Sequence, residues 1–213
     1  MNRSLLSVVF VGMAMLGFGQ IRMDVSQNGK SLGKLYLTEK LSATGKTVDM
    51  RLELKGPSGE VEIRQSSTFE RSGAPIRKLK DTLLKPKTRL QVVVSFTAGK
   101  ANVVLDESGR RSTKEIPLAK GATAQDASEF WFRPVAPKVG AVVKCVTFDL
   151  DRLTWVELST SYLGKVKVEV RGVQRDLHRV VAVQSGRTVE TLLDDKGDPV
   201  RIVDGAIRVE REN

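Results

Sequence analysis

Apolar and polar residues alternate along most of the chain with a period of two. In the segment TVDMRLELK, the side chains of Val48, Met50, Leu52 and Leu54 alternate with polar ones. Successive side chains of a β-strand point to opposite faces, so this pattern predicts a strand with one apolar face and one wet face. The same alternation recurs in RLQVVVSF and KVKVEVRG.

Short glycine-bearing segments such as SATGK, TAGK, ESGR and QSGR separate these stretches. Turns at this regular spacing predict an all-β fold, an antiparallel meander of about a dozen strands. The sheet is expected to curve into a half-barrel or open barrel. A short helix or loop is expected at its midpoint, where the sequence is least typical of a strand.

One segment, APIRKLKDTLLK, leaves two alternatives open. Ile76, Leu79 and Leu83 fall at helical spacing, and Pro75 suits the first position of a helix. A strand is the other alternative, because GAPIR at 73–77 has a counterpart elsewhere in the chain. On a strand, Arg77 would face away from Lys78 and Lys80, so the positive charge would divide between the two faces.

The counterpart is GDPVR at 197–201, in which every position lies 124 residues after its match in GAPIR. Glycine adopts backbone angles that other residues avoid, and proline sets the next angle, so both segments predict the same corner before a strand. The repeat indicates two related β-meander halves, residues 20–122 and 141–213, joined by an aromatic and proline-containing crossover at 123–140.

Residues 1–19 have the order of a secretory signal peptide: Arg3, an apolar run, then Gly17 and Gly19 at the positions that a signal peptidase reads. Cleavage is expected after Gly19, and a retained membrane anchor is the alternative. The protein is therefore expected to be exported, to the periplasm or the extracellular space.

The formal net charge of +10 favours anionic partners. For an exported protein these are membrane head groups, acidic glycans or envelope proteins, and nucleic acid is not expected. Peripheral membrane contact fits the same charge. Cys145 is the only cysteine, so no disulfide forms within the chain, and its place in VVKCVTF predicts a small side chain buried in a strand.

Three adjacent aromatic residues, Phe130, Trp131 and Phe132, precede the prolines of the crossover. Large aromatic side chains usually contribute core area, so one interpretation is that they anchor the crossover against the sheets. The other is that they bind an apolar ligand. A second candidate is a basic rim that would meet an anionic head group, formed by Arg77, Lys78, Lys80, Lys85, Lys87 and Arg89.

The order of the segments ERSGAPIRKL, FTAGKANVVLDESGRR and the tryptophan-phenylalanine crossover resembles secreted bacterial β-meander proteins of unknown function. These are loosely similar to the outer-membrane lipoprotein carriers, whose curved antiparallel sheet forms a half-barrel. The resemblance implies location in the bacterial envelope and an apolar ligand on the concave face. It implies no catalytic residues, and no long helix that would close the barrel mouth is evident.

Signals for enzymatic chemistry are weak, and no catalytic residue, metal site or cofactor is predicted. Asp176 and His178 share a strand face, but no Gly-x-Ser-x-Gly motif supplies a nucleophile. Asp194, Asp195 and Asp198 in DDKGD suit a tight turn better than a calcium site, because the spacing of an EF-hand loop is missing.

The sequence thus predicts an exported, non-enzymatic binding or accessory protein that holds an apolar or amphiphilic ligand, such as a lipid, on a concave sheet face. The alternative is a structural or protein-interaction module of the envelope, with a solid core and a basic docking face. An enzyme of unrecognised type would require Asp149, Asp151, Asp176 and His178 to meet in one pocket.

Overall fold

The computed structural model describes residues 20–56, 59–84, 88–97, 99–125 and 137–212. These residues form one 14-stranded antiparallel sheet, so the predicted all-β class is confirmed. No helix in these ranges is long and apolar enough to span a membrane. In chain order the strands are β1 (Gln20–Gln27), β2 (Lys30–Leu41), β3 (Gly45–Gly56), β4 (Gly59–Glu70), β5 (Pro75–Leu84), β6 (Thr88–Thr97), β7 (Lys100–Glu107), β8 (Arg110–Pro117), β9 (Val142–Asp149), β10 (Thr154–Val170), β11 (Val173–Gln184), β12 (Arg187–Leu193), β13 (Pro199–Asp204) and β14 (Ile207–Arg211).

The order of strands across the sheet shows how the two runs of the meander are joined. From β8 the order descends to β1, which pairs with β14, and from β14 it descends again to β9. In the antiparallel register of β1 with β14, Val25 lies opposite Val209. The strands β8 and β9 are therefore the two ends of an open sheet.

The larger apolar cluster lies between the two runs of strands. Buried Met23, Leu35 and Leu52 from β1–β3 pack in the same cluster as Leu158 of β10 and Val189 of β12. Side chains from opposite parts of the sheet can meet only if the sheet curves around them. The predicted curved sheet is therefore present, and apolar side chains fill this part of its concave face.

A second cluster brings the two ends of the sheet close together. Val94 of β6 and Phe148 of β9 are buried in it, with Trp155 of β10 packed against them. The rings of Trp155 and Phe148 are nearly perpendicular, with centroids 5.2 Å apart. The Trp155 indole N–H donates to the Ile116 carbonyl oxygen of β8 at 3.2 Å. The two ends thus meet through side chains.

The segment with two open alternatives is the strand β5, and its helical alternative is wrong. Its pairing with β4 runs from Phe69 opposite Pro75 to Val61 opposite Leu84. It also pairs with β6 on its other side. Cross-strand packing on both sides outweighs the helical spacing of three apolar residues, because tertiary contacts override local propensity.

The first of the two predicted corners lies between β4 and β5. Gly73 has a φ of 88°, in the left-handed region that favours glycine. Its N–H donates to the Glu70 carbonyl oxygen at 3.0 Å, and the Glu70 N–H donates to the Ala74 carbonyl oxygen at 2.9 Å. Proline then begins β5.

The second corner, between β12 and β13, repeats this geometry 124 residues later. Gly197 has a φ of 81°. Its N–H donates to the Asp194 carbonyl oxygen at 2.9 Å, and the Asp194 N–H donates to the Asp198 carbonyl oxygen at 2.9 Å. A shift in strand register precedes both corners. The reused corner predicted from the sequence is confirmed.

The pairing of the long β10–β11 hairpin shifts register between Tyr162 and Lys165. Such an irregularity bends a strand, and here the hairpin tip bends over the sheet. Beyond the bend, Arg171 forms an ion pair with Asp24 of β1. Arg201 of β13 donates to the Glu169 carbonyl oxygen at 2.6 Å. Asp24 lies between the interior residues Met23 and Val25, and Arg201 precedes the interior residue Ile202, so the hairpin tip covers the outer face of the sheet.

Between this hairpin tip and the sheet lies a third, smaller apolar cluster. Val170 and Leu177 of the hairpin are buried there against Leu192 and Val200. Both faces of the sheet are therefore covered around β12 and β13, which explains the nearly continuous burial of β13.

We predict that Gly45→Ala lowers the free energy of unfolding by about 1–3 kcal/mol, a typical result of overpacking. A Cβ at this position would lie 1.9 Å from the backbone oxygen of Phe69, so β3 and β4 must move apart. Urea denaturation measures the change as a lower midpoint at an unchanged m-value.

The control is Gly56→Ala at the other end of the same strand, where an added Cβ meets no atom within 4 Å among the described residues. It is expected to leave the midpoint unchanged or to raise it slightly. Equal destabilisation by both substitutions would contradict the close approach at Gly45.

We predict that Asp24→Asn loosens the tip of the β10–β11 hairpin. A hydrogen bond from Lys34, the larger effect, and one from Arg171 lower the pKa of Asp24 below its ordinary value. Because folding lowers the pKa of this carboxyl, the carboxylate stabilises the fold at pH values above 3.8, its ordinary pKa in the unfolded chain. The stabilisation is lost as the pH falls from 3.8 through the lower pKa of the folded state. Faster amide exchange at residues 169–173 is expected at neutral pH.

The matched control is Asp49→Asn, because Asp49 and Asp24 both have 36% of the side chain exposed. Asp49 pairs with Lys40 on the adjacent β2, and no hydrogen bond or ion pair joins it to the hairpin tip among the described residues. If Asp24→Asn left exchange at the tip unchanged at neutral pH, or if both substitutions raised it equally, the Asp24 contact would not hold the hairpin.

Candidate functional site

A groove of about 890 Å³ lies at the end of the sheet formed by β9. This volume is in the range of small-molecule sites in proteins. One side is formed by the crossover, where Ala124 makes a parallel bridge to Val146 and the Gln125 N–H donates to the Val146 carbonyl oxygen at 3.0 Å. Ser185 and Gly186 of the β11–β12 turn form the far end.

Apolar side chains supply much of the lining, with charged groups among them. The apolar residues are Val146, Val156, Leu158 and Val183. Leu158 belongs to the main interior cluster, whereas 41% of Val183 is exposed. The groove therefore lies over the edge of the main cluster, at the open end of the sheet.

Lys144 and Glu157 carry the charges of the groove, and both are exposed. They lie on opposite members of the β9–β10 pair, with Lys144 facing Ser159 and Glu157 facing Val146. An ammonium group beside an apolar wall can bind the anionic head group of an amphiphile, while its alkyl chain packs on the valines. Glu157 balances the charge of Lys144, so the charged residues of this lining sum to zero.

Cys145 also lines the groove. It is partly buried and packs against the main apolar cluster, so it lies in a strand as predicted and is less buried than predicted. A small thiol here contributes apolar surface between the groove and the core.

The aromatic candidates Phe130, Trp131 and Phe132 lie outside the described residues. Gln125, which the structure does describe, lines the groove, and its side-chain amide donates to the Ser72 carbonyl oxygen at 3.0 Å. A role of the three aromatic side chains in ligand binding stays a prediction.

The structure divides the predicted basic rim, of which Lys85 and Lys87 lie outside the described residues. Arg77 is exposed. Arg89 is also exposed, and two hydrogen bonds of 3.0 and 2.7 Å join it to the Asp81 carboxylate. These hydrogen bonds raise the pKa of Arg89 above its ordinary value.

Lys78 and Lys80 differ from the expectation, because they lie in the interior and not at an exposed rim. Only 6% of Lys78 and 8% of Lys80 are exposed. Lys78 donates to the Thr147 hydroxyl at 3.0 Å, and Lys80 pairs with Asp151 at 2.5 Å. Both lysines therefore connect β5 to the β9 region across the curved sheet.

The single histidine belongs to a network that the sequence suggested only in part. His178 Nδ1 lies 2.8 Å from the Tyr162 hydroxyl, and Nε2 lies 3.1 Å from the Asp195 carboxylate. Lys165 donates to the same carboxylate at 2.7 Å. A hydrogen bond from Lys165, the larger effect, and one from His178 lower the pKa of Asp195 below its ordinary value. The acid that contacts His178 is therefore Asp195 and not Asp176.

The other carboxylates named above have structural contacts. Asp149 accepts the Asp151 N–H at 2.8 Å in the β9–β10 turn. Asp194 accepts the Asp198 N–H at 2.9 Å, so DDKGD forms the predicted turn. Nowhere in the described ranges do three or more metal-ligating side chains come together. Asp149 and Asp151 lie in a different turn from the His178 network.

The sequence contained a signal for the groove that alternation alone does not reveal. Apolar residues at consecutive positions, Cys145 and Val146 of β9 and Ala182 and Val183 of β11, interrupt the alternation and place apolar side chains on both faces of these strands. Such runs are typical of strands that are covered on both sides. The network around His178 had no comparable signal, because its four members come from three separate segments.

No family model and no curated protein matches the chain. Among solved structures, the fold is similar to a crystal structure described as a beta-barrel-like protein of domain of unknown function DUF1849 from Brucella abortus. The TM-score is 0.62 at 12% sequence identity, and the match covers 91% of this chain and 95% of that chain. At this identity the similarity shows the fold alone, which agrees with the predicted likeness to bacterial β-meander proteins.

We predict that Tyr162→Phe lowers the free energy of unfolding by about 1–2 kcal/mol, because it removes a buried hydrogen-bonding hydroxyl beside His178. The control is Tyr36→Phe, which changes the chain's other tyrosine on the outer face. The Tyr36 ring contacts two arginines and is only partly buried, so little change is expected. Equal urea midpoints for the two variants would contradict a stabilising Tyr162–His178 contact.

Proposed function

We propose that the protein is an exported, non-catalytic binding or accessory protein that holds an apolar or amphiphilic ligand in the groove at β9. The observation that carries this proposal is the 890 Å³ groove with valine and leucine walls and Lys144 within its lining. A lipid or another single-chain amphiphile fits this chemistry, with its chain on the apolar wall and an anionic head near the lysine.

The groove is a better candidate for the ligand than the concave face. Met23, Leu35 and Val189 are at most 2% exposed within the main cluster, so their side chains already fill that part of the interior. At the end of the sheet, Val183 is 41% exposed and lines the groove together with Val156 and the buried Leu158. Phe130, Trp131 and Phe132 would add aromatic surface to this site.

Location in the periplasm or outside the cell is part of the proposal and depends on residues 1–19, which lie outside the described residues. The resemblance to the outer-membrane lipoprotein carriers belongs to the proposal as well. By analogy with these carriers, the protein would contact a membrane peripherally when it takes up its ligand.

A structural or protein-interaction module is the second candidate, and a feature of the outer face favours it. Arg22, Tyr36 and Arg51 lie side by side on β1, β2 and β3. The two guanidinium carbons lie 5.6 and 4.3 Å from the Tyr36 ring centroid. Such a surface suits an acidic glycan or an acidic face of an envelope protein.

We predict that Val183→Arg abolishes binding of palmitate and lyso-phosphatidylglycerol, because it places a charged side chain in the groove. Native mass spectrometry of residues 20–213, purified without detergent, measures the mass of each complex. The wild type is expected to carry one such ligand. Val183 is half-exposed, so the variant is expected to fold.

Val173→Arg is the matched control, since Val173 is 50% exposed and lies outside the groove. It is expected to retain both ligands. Wild-type protein that binds neither probe would overturn the groove proposal. Salt-dependent retention on an immobilised acidic polysaccharide, reduced by Arg51→Gln, would then support the interaction module.

A further inference from the structure

A second, smaller cavity of about 380 Å³ lies under the tip of the β10–β11 hairpin. It shares no lining residue with the groove at β9. The residues around it come from the hairpin, β13 and the end of β14: Val170, Val173, Arg175, Val200, Arg211 and Glu212.

Three valines form the apolar part of this cavity. Val170 and Val200 are 2% and 0% exposed and belong to the cluster between the hairpin and the sheet. Val173 follows the hairpin turn and is half-exposed, so it stands at the mouth. A short aliphatic chain at the mouth would remove the exposed surface of Val173 from water.

Arg211 supplies a buried donor beside this apolar wall. Its Nε donates to the Pro199 carbonyl oxygen at 2.7 Å, and its Nη1 donates to the Asp194 carboxylate at 2.8 Å. These two bonds hold the guanidinium plane in place. Its Nη2 is buried, and no hydrogen-bond partner for it occurs among the described residues. An unsatisfied donor of this kind is costly and rare in native proteins, and an anion in the adjacent cavity would lower its electrostatic cost.

The remaining charges around the cavity favour an anion. Arg175 lines the cavity and is partly exposed, and no ion pair is found for it in the described part of the chain. Glu212 is the only acidic group in the lining. It pairs with Lys34 and, at 3.6 Å, with Arg22, so its charge is already balanced.

We propose that this cavity binds a small organic monoanion, a carboxylate with a short aliphatic chain. The carboxylate pairs with Arg175 beside the Arg211 guanidinium, and the chain packs on the exposed side of Val173 at the mouth. This inference goes beyond the proposed function, because the cavity is separate from the groove and too small for a long-chain lipid.

The test is calorimetric titration of the full mature chain with butanoate, 1-butanol and butylammonium. Butanoate is expected to bind, and the neutral and cationic analogues are expected to bind at least tenfold more weakly. Arg175→Gln is expected to weaken butanoate binding about tenfold, as loss of a hydrogen-bonded charge does. Val173→Trp is expected to block the mouth and abolish binding.

Arg208→Gln is the matched control, since Arg208 is an exposed arginine on β14 outside the cavity. It is expected to leave butanoate affinity unchanged, and so is Val183→Arg, which changes only the groove. Changes in the methyl NMR shifts of Val170, Val173 and Val200 on adding butanoate locate the site. This measurement uses the wild-type chain, so no substitution of Arg211 is needed.

The proposal is overturned if butanoate does not bind, or if 1-butanol binds equally well. It is also overturned if Arg175→Gln and Arg208→Gln have equal effects. Because the groove is tested with long-chain ligands and Val183→Arg, each of the two sites can fail without the other.

Discussion

The pairing of β1 with β14 turns two runs of strands into one sheet. Without it, β1–β8 and β9–β14 would each present an additional unpaired edge, and such edges promote association with other chains. The pairing places Val25 opposite Val209 and brings both into the main interior cluster. The cluster can then draw side chains from both runs, and the sheet must curve around them.

Filling the concave face with apolar side chains determines where ligands can bind. The interior of the main cluster is closed by packing, so accessible apolar surface remains at the places where the sheet ends or bends. The groove at β9 marks its open end, and the smaller cavity lies under the bent β10–β11 hairpin. Both combine valine walls with basic side chains, which suits amphiphilic anions of different length.

The positive charge of the chain is distributed differently from what its composition suggests. Lys46, Lys78 and Lys80 are buried, and each has an oxygen-bearing partner: Glu39, Thr147 and Asp151, respectively. Buried charges of this kind hold strands in one arrangement at a considerable desolvation cost. Several basic residues are therefore internal contacts between strands and are not available to an anionic partner.

Period-two alternation, glycine-bearing turns and the repeated Gly-x-Pro corner determined the all-β class, the approximate number of strands and two matching corners. These features depend on neighbouring residues along the chain, so one sequence is enough to predict them. The strand β5 was ambiguous, because its apolar spacing fits a helix until β4 and β6 pair with it.

Tertiary structure alone decided which side chains meet. His178 contacts Asp195 and not the nearby Asp176, Lys78 reaches Thr147 across the interior, and Arg211 ends beside a cavity under a hairpin formed 40 residues earlier in the chain. Register shifts, the curvature of the sheet and the order of its strands set these contacts. No local pattern encodes them, because each joins segments that become neighbours only when the sheet closes around its core.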